Sequence, residues 1–455
     1  MKKLIFAIGI WPCFVLAQPK TDSLFLQQLS NNVLTQGKAY DLLHQLTKQI
    51  GGRLAGSPQF MQAVLWGQQA MHMMGADTVY LQKCMVPHWV RGGKDKATIV
   101  QIGNHTVNRP LSVTALGNSL GTKPGGITAP VLAVRDFADL EAHHAEAKGK
   151  IVFFNYPFNP TYIIPGKAYG ESGAYRRNGA AIAAKYGAVG IVIRSLSGAT
   201  DNYAHTGTMN YQDSLPKIPA AALGLQDADS LFAWCRRMPV QLHLETHGYF
   251  LPDTIGYNVI GVLKGTALPQ QYITVGGHLD SWDEGEGAHD DGAGVVQTLE
   301  VLRAFKATEY KPTHSIYFVL FANEENGLRG GNEYARVAAL QNTTPIFALE
   351  SDEGGFTPRG FACSATPEQF ALLKSWIPLL QPYGTDRINA GGGGADIGPL
   401  ARHFSIPVCG LMPDNQRYFD IHHTKADVFE AVNKRELLLG AINMAGLVYL
   451  VDKYF

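Results

Sequence analysis

Residues 273–294 read Ile273-Thr274-Val275-Gly276-Gly277-His278-Leu279-Asp280-Ser281-Trp282-Asp283-Glu284-Gly285-Glu286-Gly287-Ala288-His289-Asp290-Asp291-Gly292-Ala293-Gly294. A short apolar run leads into a His-x-Asp pair, His278 and Asp280. Twelve residues beyond His278 comes Asp290-Asp291-Gly292. An imidazole, a carboxylate that could accept its other ring N–H and fix its orientation, and a second carboxylate able to join two ions are what a metal site requires.

Working outward, this run is one of several β-type runs after residue 250, at 257–263, 272–275, 315–321, 346–349 and 408–411. They are interleaved with helix-period stretches at 293–305, 329–340, 367–380 and 434–450. That rhythm predicts an α/β fold with a mainly parallel mixed sheet flanked by helices. Upstream, leucines recur at helical spacing through 22–80, broken at Gly51-Gly52-Arg53-Leu54-Ala55-Gly56-Ser57-Pro58, and strand character follows from 79 to about 107. Residues 111–250 differ. Short β-type runs at 131–134, 151–154, 190–193 and 240–244 surround one Ala-rich helix at 173–186, and no His/Asp/Glu set there has ligand spacing. His143-His144 reads as a solvated pair. The expected division is a leader at 1–17, the N-terminal part of a catalytic domain at 18–110, a β-rich insertion at 111–250 and the catalytic part at 251–455. A chain of 455 residues exceeds what one core usually holds.

Lys2 and Lys3 precede an apolar run at 4–16, with Val15 and Ala17 at the −3 and −1 positions of a cleavage site before Gln18. This reads as a secretory signal peptide, so the mature chain is expected to be exported, periplasmic or extracellular. No later stretch is expected to be long and apolar enough to span a bilayer. Lys+Arg and Asp+Glu both number 38, which gives no charge excess for nucleic acid or an anionic membrane. Cys84, Cys235, Cys363 and Cys409 could pair in three ways in an oxidising compartment. None has metal-type spacing with another, so a thiolate-held zinc is not expected.

The chemistry-bearing residues gather after three runs: His278 and Asp280 after the first, Glu324 and Glu325 after 315–321, and Asp352 after 346–349. In open α/β sheets the carboxyl ends of strands share one cleft. Imidazoles and carboxylates without thiolate suit zinc, and a bridging carboxylate, here Asp290, makes sense only with two ions. Aiming its oxygens could require a cis Asp290–Asp291 peptide, at about 3–4 kcal/mol. In the pair at 324–325, one carboxylate would bind metal and the other act as general base toward an activated water. Glu324 is assigned as base and Glu325 as ligand, although spacing alone also allows the reverse. His422 and His423 compete for the last ligand position, the other being free to donate to an oxyanion.

These motifs resemble the M28 family of dizinc peptidases, and within it the carboxypeptidase Q branch. The matching elements are Gly277-His278-Leu279-Asp280-Ser281-Trp282-Asp283, Gly287-Ala288-His289-Asp290-Asp291-Gly292-Ala293-Gly294, Asn323-Glu324-Glu325-Asn326-Gly327, Glu350-Ser351-Asp352-Glu353-Gly354 and His422-His423-Thr424, with 52–58 and Trp89-Val90-Arg91-Gly92 upstream. The resemblance implies two Zn2+ ions, one held by His278, Asp290 and Asp352, the other by Asp290, Glu325 and His423, with Glu324 as base. It implies Asp280 behind His278 and no role for His289 in the site. The position before the last ligand is often Tyr in the family; here it is His422, a departure at the transition-state donor. It also implies that 111–250 is a protease-associated-type domain acting as lid or substrate restrictor. Gly391-Gly392-Gly393-Gly394-Ala395-Asp396 falls where the family builds part of its substrate pocket, with Gly392 and Gly393 approaching a peptide and Asp396 meeting a free α-amino group. The expected function is hydrolysis of dipeptides or short peptides by an exported dizinc exopeptidase of dipeptidase or carboxypeptidase type. An aminopeptidase, a single-zinc glutaminyl cyclase-like transferase and a non-catalytic binding member are the rivals. Small peptides are the expected partners, and the resemblance implies a homodimer.

Overall fold

The computed structural model describes residues 19–455; the leader at 1–17 lies outside the described residues. Two helical segments, Pro19–Gln36 and Ala39–Gln45, precede the break at 51–57. The Pro58–Met74 helix then starts where the sequence signals it. The Ser57 side chain accepts the Phe60 N–H, Pro58 occupies the first turn, and Gly75 closes the helix in the left-handed conformation.

Two eight-stranded sheets follow. The first runs in the order Thr78–Val90, Tyr249–Leu263, His314–Phe321, Leu268–His278, Thr344–Glu350, Val408–Pro413, Pro358–Ser364 and Arg387–Ala390. Its centre is parallel, with Leu268–His278 between His314–Phe321 and Thr344–Glu350, while the flanking pairs are largely antiparallel. Residues 272–278 are buried throughout, as a central strand covered on both faces must be. One face is covered by the core around Leu29, Phe60, Val295, Phe305 and Leu447, the other by Tyr272, Phe321, Tyr334 and Leu400. Each such side chain contributes about 1.5–3 kcal/mol on burial.

The Lys434–Tyr454 helix corrects one expectation. It is long and apolar enough to cross a membrane, but 83% of its most apolar window is buried. Its hydrophobicity serves the core, because it packs against Pro19–Gln36 and Ala293–Ala307.

The second sheet is built from strands between Lys96 and Glu245, in the order His105–Leu111, Lys96–Ile102, Val240–Glu245, Ile127–Val134, Ile151–Phe154, Gly190–Arg194, Ala220–Leu223 and Val113–Ala115. It thus takes in 96–111, upstream of the 111–250 span. It has its own core on each face, one under the Pro165–Lys185 helix and one under Leu225–Cys235, a helix the sequence reading left out. Arg91 ties the two sheets. Its guanidinium donates to Asp283 (2.6 and 2.9 Å) on one side and to the Thr114 hydroxyl and Ala115 carbonyl (both 2.9 Å) on the other. Cys363 and Cys409 form a disulfide across directly paired strands, and Cys84 and Cys235 are free.

Candidate metal centre

The parallel register brings the predicted residues to one edge. His278 is the last residue of its strand and pairs with Phe321, three residues before Glu324. Gly276 pairs with Glu350, two residues before Asp352. Asp291 locks this arrangement: it accepts the His278 amide (3.0 Å) and the Gly294 amide (2.9 Å) at the start of the Ala293–Ala307 helix. Gly294 is required there, because any side chain would collide with Ser351 and Asp291. The Asp290–Asp291 peptide is cis.

Asp290 lies between two groups of donors. Its Oδ1 is 3.2 Å from His278 Nε2, which is also 3.2 Å from Asp352 Oδ1. Its Oδ2 is 3.1 Å from His423 Nε2 and 3.2 Å from His422 Nε2. His423 Nε2 is also 3.1 Å from Glu325 Oε2. Despite these short distances, Asp290 Oδ2 makes no well-directed hydrogen bond, and Glu325 Oε1 is buried without a partner. Lone pairs aimed at a common point rather than at one another suit a cation. No Lys or Arg among the described residues forms an ion pair with Asp290, Glu325 or Asp352. Three imidazoles, those of His278, His422 and His423, and the carboxylates of Asp290, Glu325 and Asp352, without thiolate, fit zinc, and His422 is placed about as close to Asp290 as His423 is.

Electrostatics follow from crowding. Burial alone would lower the His278 pKa, but Asp352 and Asp290 outweigh it and hold it well above the ordinary value. Burial would raise Asp290, yet His422, His278 and His423 pull it well below the carboxylate range. Burial, reinforced by Asp352, Glu325 and Asp290, pushes Glu324 well above its usual value. Glu325 is pushed up to about 7 by burial and then by Asp290.

Asp280 differs in detail from its expected place. Its carboxylate is 3.8 Å from His278 Nδ1, while its own carbonyl oxygen is 3.0 Å away and is the acceptor that orients the ring. The carboxylate turns instead to the 324–325 turn, accepting the Glu324 and Glu325 amides. His289 points away from the cluster: its Nδ1 accepts the Gly355 amide and its Nε2 faces the Ala431 carbonyl.

A cavity of about 530 Å³ opens over the cluster, lined by Asp290, Glu324, Glu325, Asp352, His422 and His423. Gly392, Gly393 and Asp396 do not line it. Gly393 packs on Val408, and Asp396 is fully buried beside Glu350, whose carboxylate accepts the Ile397 amide (3.0 Å). Gly391, Gly393 and Gly394 bring this loop against the sheet, Gly392 is exposed, and the Asp396 side chain is buried outside the cavity lining.

Several wall residues escaped sequence reading. Tyr169, Arg176, Asn118, Thr208 and Asn210 come from the second sheet and its connections, the segment read as empty of site groups. Asp427 accepts the amides of His289 (2.7 Å) and Asp290 (3.1 Å). Arg53, fully buried, donates to the carbonyls of Leu279 (2.6 Å), Glu286 (2.8 Å) and Gly287 (3.0 Å). Only the seven-residue spacing of Tyr169 and Arg176, about two helical turns on one face, was a signal.

Residues 258–448 match the description of Peptidase family M28. Mouse carboxypeptidase Q is 32% identical over 417 residues, covering 91% of this chain and 86% of that protein. A peptidase M28 precursor from Shewanella amazonensis, solved by crystallography, is 34% identical with a TM-score of 0.89, covering 95% of this chain and 97% of the other. A zinc aminopeptidase from Bacillus subtilis shares the fold at 20% identity, with a TM-score of 0.65 and coverage of 90% and 94%.

Proposed function

From the premise that the chain is a zinc metallopeptidase belonging to peptidase family M28, we propose that it is an exported exopeptidase with two zinc ions, hydrolysing dipeptides or short peptides. The observation that carries this reading is Asp290, whose two oxygens face different donor groups, His278 with Asp352 on one side and His423 with Glu325 on the other. Export rests on Lys2-Lys3 and the apolar run at 4–16. Zinc, when bound, polarises the scissile carbonyl and acidifies the attacking water.

The chain's own residues do the rest. Glu324 accepts a proton from that water on its carboxylate and delivers it to the leaving amine nitrogen. Its carboxylate lies in the cavity wall beside the assigned ligands, where a general base must stand. Asp280 fixes Glu324 and Glu325 through their amides. His422, stacked 3.5 Å from His423 and held well below its ordinary pKa by burial and His423, is a neutral donor for the developing oxyanion. Tyr169 and Arg176 wall the cavity from the 96–245 segment, consistent with a substrate-restricting insertion of protease-associated type.

The second reading, an aminopeptidase, draws on the fold shared with the Bacillus subtilis enzyme and on Glu353, a carboxylate in the cavity wall beside Asp352 that could meet an α-amino group. A dipeptide library with free and blocked termini, run with zinc content measured in parallel, tests both. The first reading expects about two zincs per chain and turnover that survives an N-terminal block better than a C-terminal one. The reverse preference establishes the aminopeptidase, and no turnover by zinc-loaded protein rejects both.

A further inference from the structure

Asp290 and His423, whose facing atoms are 3.1 Å apart, come from two loops, 286–290 and 421–427. Asp427 joins these loops. It is 3% exposed and stands outside the lining of the cavity of about 530 Å³. One carboxylate oxygen accepts the His289 amide at 2.7 Å, the other accepts the Asp290 amide at 3.1 Å, and the backbone carbonyl accepts the Glu286 amide at 2.9 Å. A side chain at Gly285 would collide with the carbonyl oxygens of Thr424 and Asp427, so the loops pack without slack.

The same residue closes the turn that carries His423. Its amide donates to the Thr424 carbonyl (3.2 Å). The Thr424 hydroxyl accepts the Ala426 amide (3.0 Å) and donates to the Ile421 carbonyl (2.7 Å). Within this turn His423 adopts a left-handed backbone, φ 60°, which is uncommon outside glycine and persists where neighbours hold it.

Two observations single out Asp290. Its amide has no acceptor besides Asp427 among the described residues, and its Oδ2 makes no well-directed hydrogen bond. The side chain is therefore aimed from the backbone, and Asp427 holds that backbone through charge-assisted bonds, the stronger kind. Arg53 holds the carbonyls of Glu286 and Gly287 in the same loop, so an anion fixes its N–H groups and a cation its C=O groups. Because Asp290 faces both donor groups of the candidate centre, turning it disturbs both.

We infer that Asp427 is a positioning residue that aims the Asp290 carboxylate and fixes its spacing from His423, so that one buried side chain, itself no ligand, sets the affinity of both zinc positions. The inference rests on the two-zinc reading above.

The test measures zinc binding rather than turnover. Asp427→Asn keeps the side-chain size but offers one acceptor oxygen in place of two, and turns an NH2 group toward a loop N–H. Competition with a chelator should show both zincs bound about 10–100-fold more weakly than in wild type. The matched control is Asp452→Asn. Asp452 is 2% exposed and accepts the Thr313 (2.9 Å) and His314 (2.8 Å) amides at the end of the His314–Phe321 strand away from His278. Asp452→Asn should lower the melting temperature of zinc-free protein and leave both zinc affinities unchanged. Zinc affinities at wild-type level in Asp427→Asn overturn the inference, as does weakening of one zinc alone, which would confine Asp427 to His423. Equal weakening in Asp452→Asn also overturns it, because general destabilisation would then suffice. If Asp427→Asn does not fold, hydrogen exchange on zinc-free wild type decides. The Glu286, His289 and Asp290 amides should exchange orders of magnitude more slowly than in an unfolded chain, and unprotected exchange overturns the inference. Wild type that saturates at one zinc defeats the two-zinc reading instead, and the exchange result then decides alone whether Asp427 braces Asp290.

Discussion

The carboxylate of Asp280 lies beneath the backbone of Glu324, accepting its amide at 3.1 Å and that of Glu325 at 3.3 Å. One buried side chain therefore positions both the assigned base and an assigned ligand. Asp280→Ala should lower kcat/KM or zinc affinity by about 10–100-fold, the usual loss when a group behind metal ligands is removed. Steady-state kinetics with elemental analysis would show it, and a variant indistinguishable from wild type would refute the bracing role.

Glu324→Gln keeps the side-chain volume and removes the proton acceptor. It should retain zinc while kcat falls about 10²–10⁴-fold. Glu325→Gln should lose zinc instead. Metal content of the two variants separates the roles, and an exchange of the two outcomes would reverse the assignment.

Arg53 bonds three carbonyls of the 279–287 loop from a fully buried position. Arg53→Met leaves those oxygens without a donor and should destabilise the protein by about 3 kcal/mol or more. Arg53→Lys should recover little, since an ammonium cannot span the same fork of acceptors. Urea unfolding of zinc-free protein measures both, and a loss below about 1 kcal/mol would contradict the role.

His289 gives a pH signature. Its Nδ1 accepts the Gly355 amide, so Nε2 carries the proton, and burial pushes its pKa down to about 4 from 6.5. Between those values the unfolded chain binds a proton that the folded chain excludes. Stability is therefore present above about pH 6.5 and lost as pH falls toward 4, by up to about 1 kcal/mol per unit from this group. Unfolding of zinc-free wild type and His289→Gln at pH 7, 6 and 5 should show a shallower slope in the variant. Parallel slopes would mean that His289 is not the neutral buried imidazole described.

Much of the catalytic half was legible because its signals are local. An apolar run ending in His278, Glu-Glu after another and Asp352 after a third mark strand ends whatever the tertiary context. Register, which brings Gly276 beside Glu350 and His278 beside Phe321, was not legible, nor was the Cys363–Cys409 pairing that depends on directly opposed strands. The cavity wall was least visible. Tyr169 and Arg176 belong to an Ala-rich helix whose pattern reports only its own packing, and the contact with His423 spans 247 residues. Asp396 misled for the converse reason: a carboxylate after four glycines suggests an open loop, but the glycines let that loop press onto the sheet and bury it.

Arg53 also orders events in time. A ribosome makes residue 53 long before residue 287, and the bond between them spans 234 residues of chain. Until the 279–287 loop has been made and has closed on this side chain, the segment linking His278 to Asp290 lacks its internal support. That support can form only after residue 287 has been made, and Asp352 and His423 are added to the chain later still.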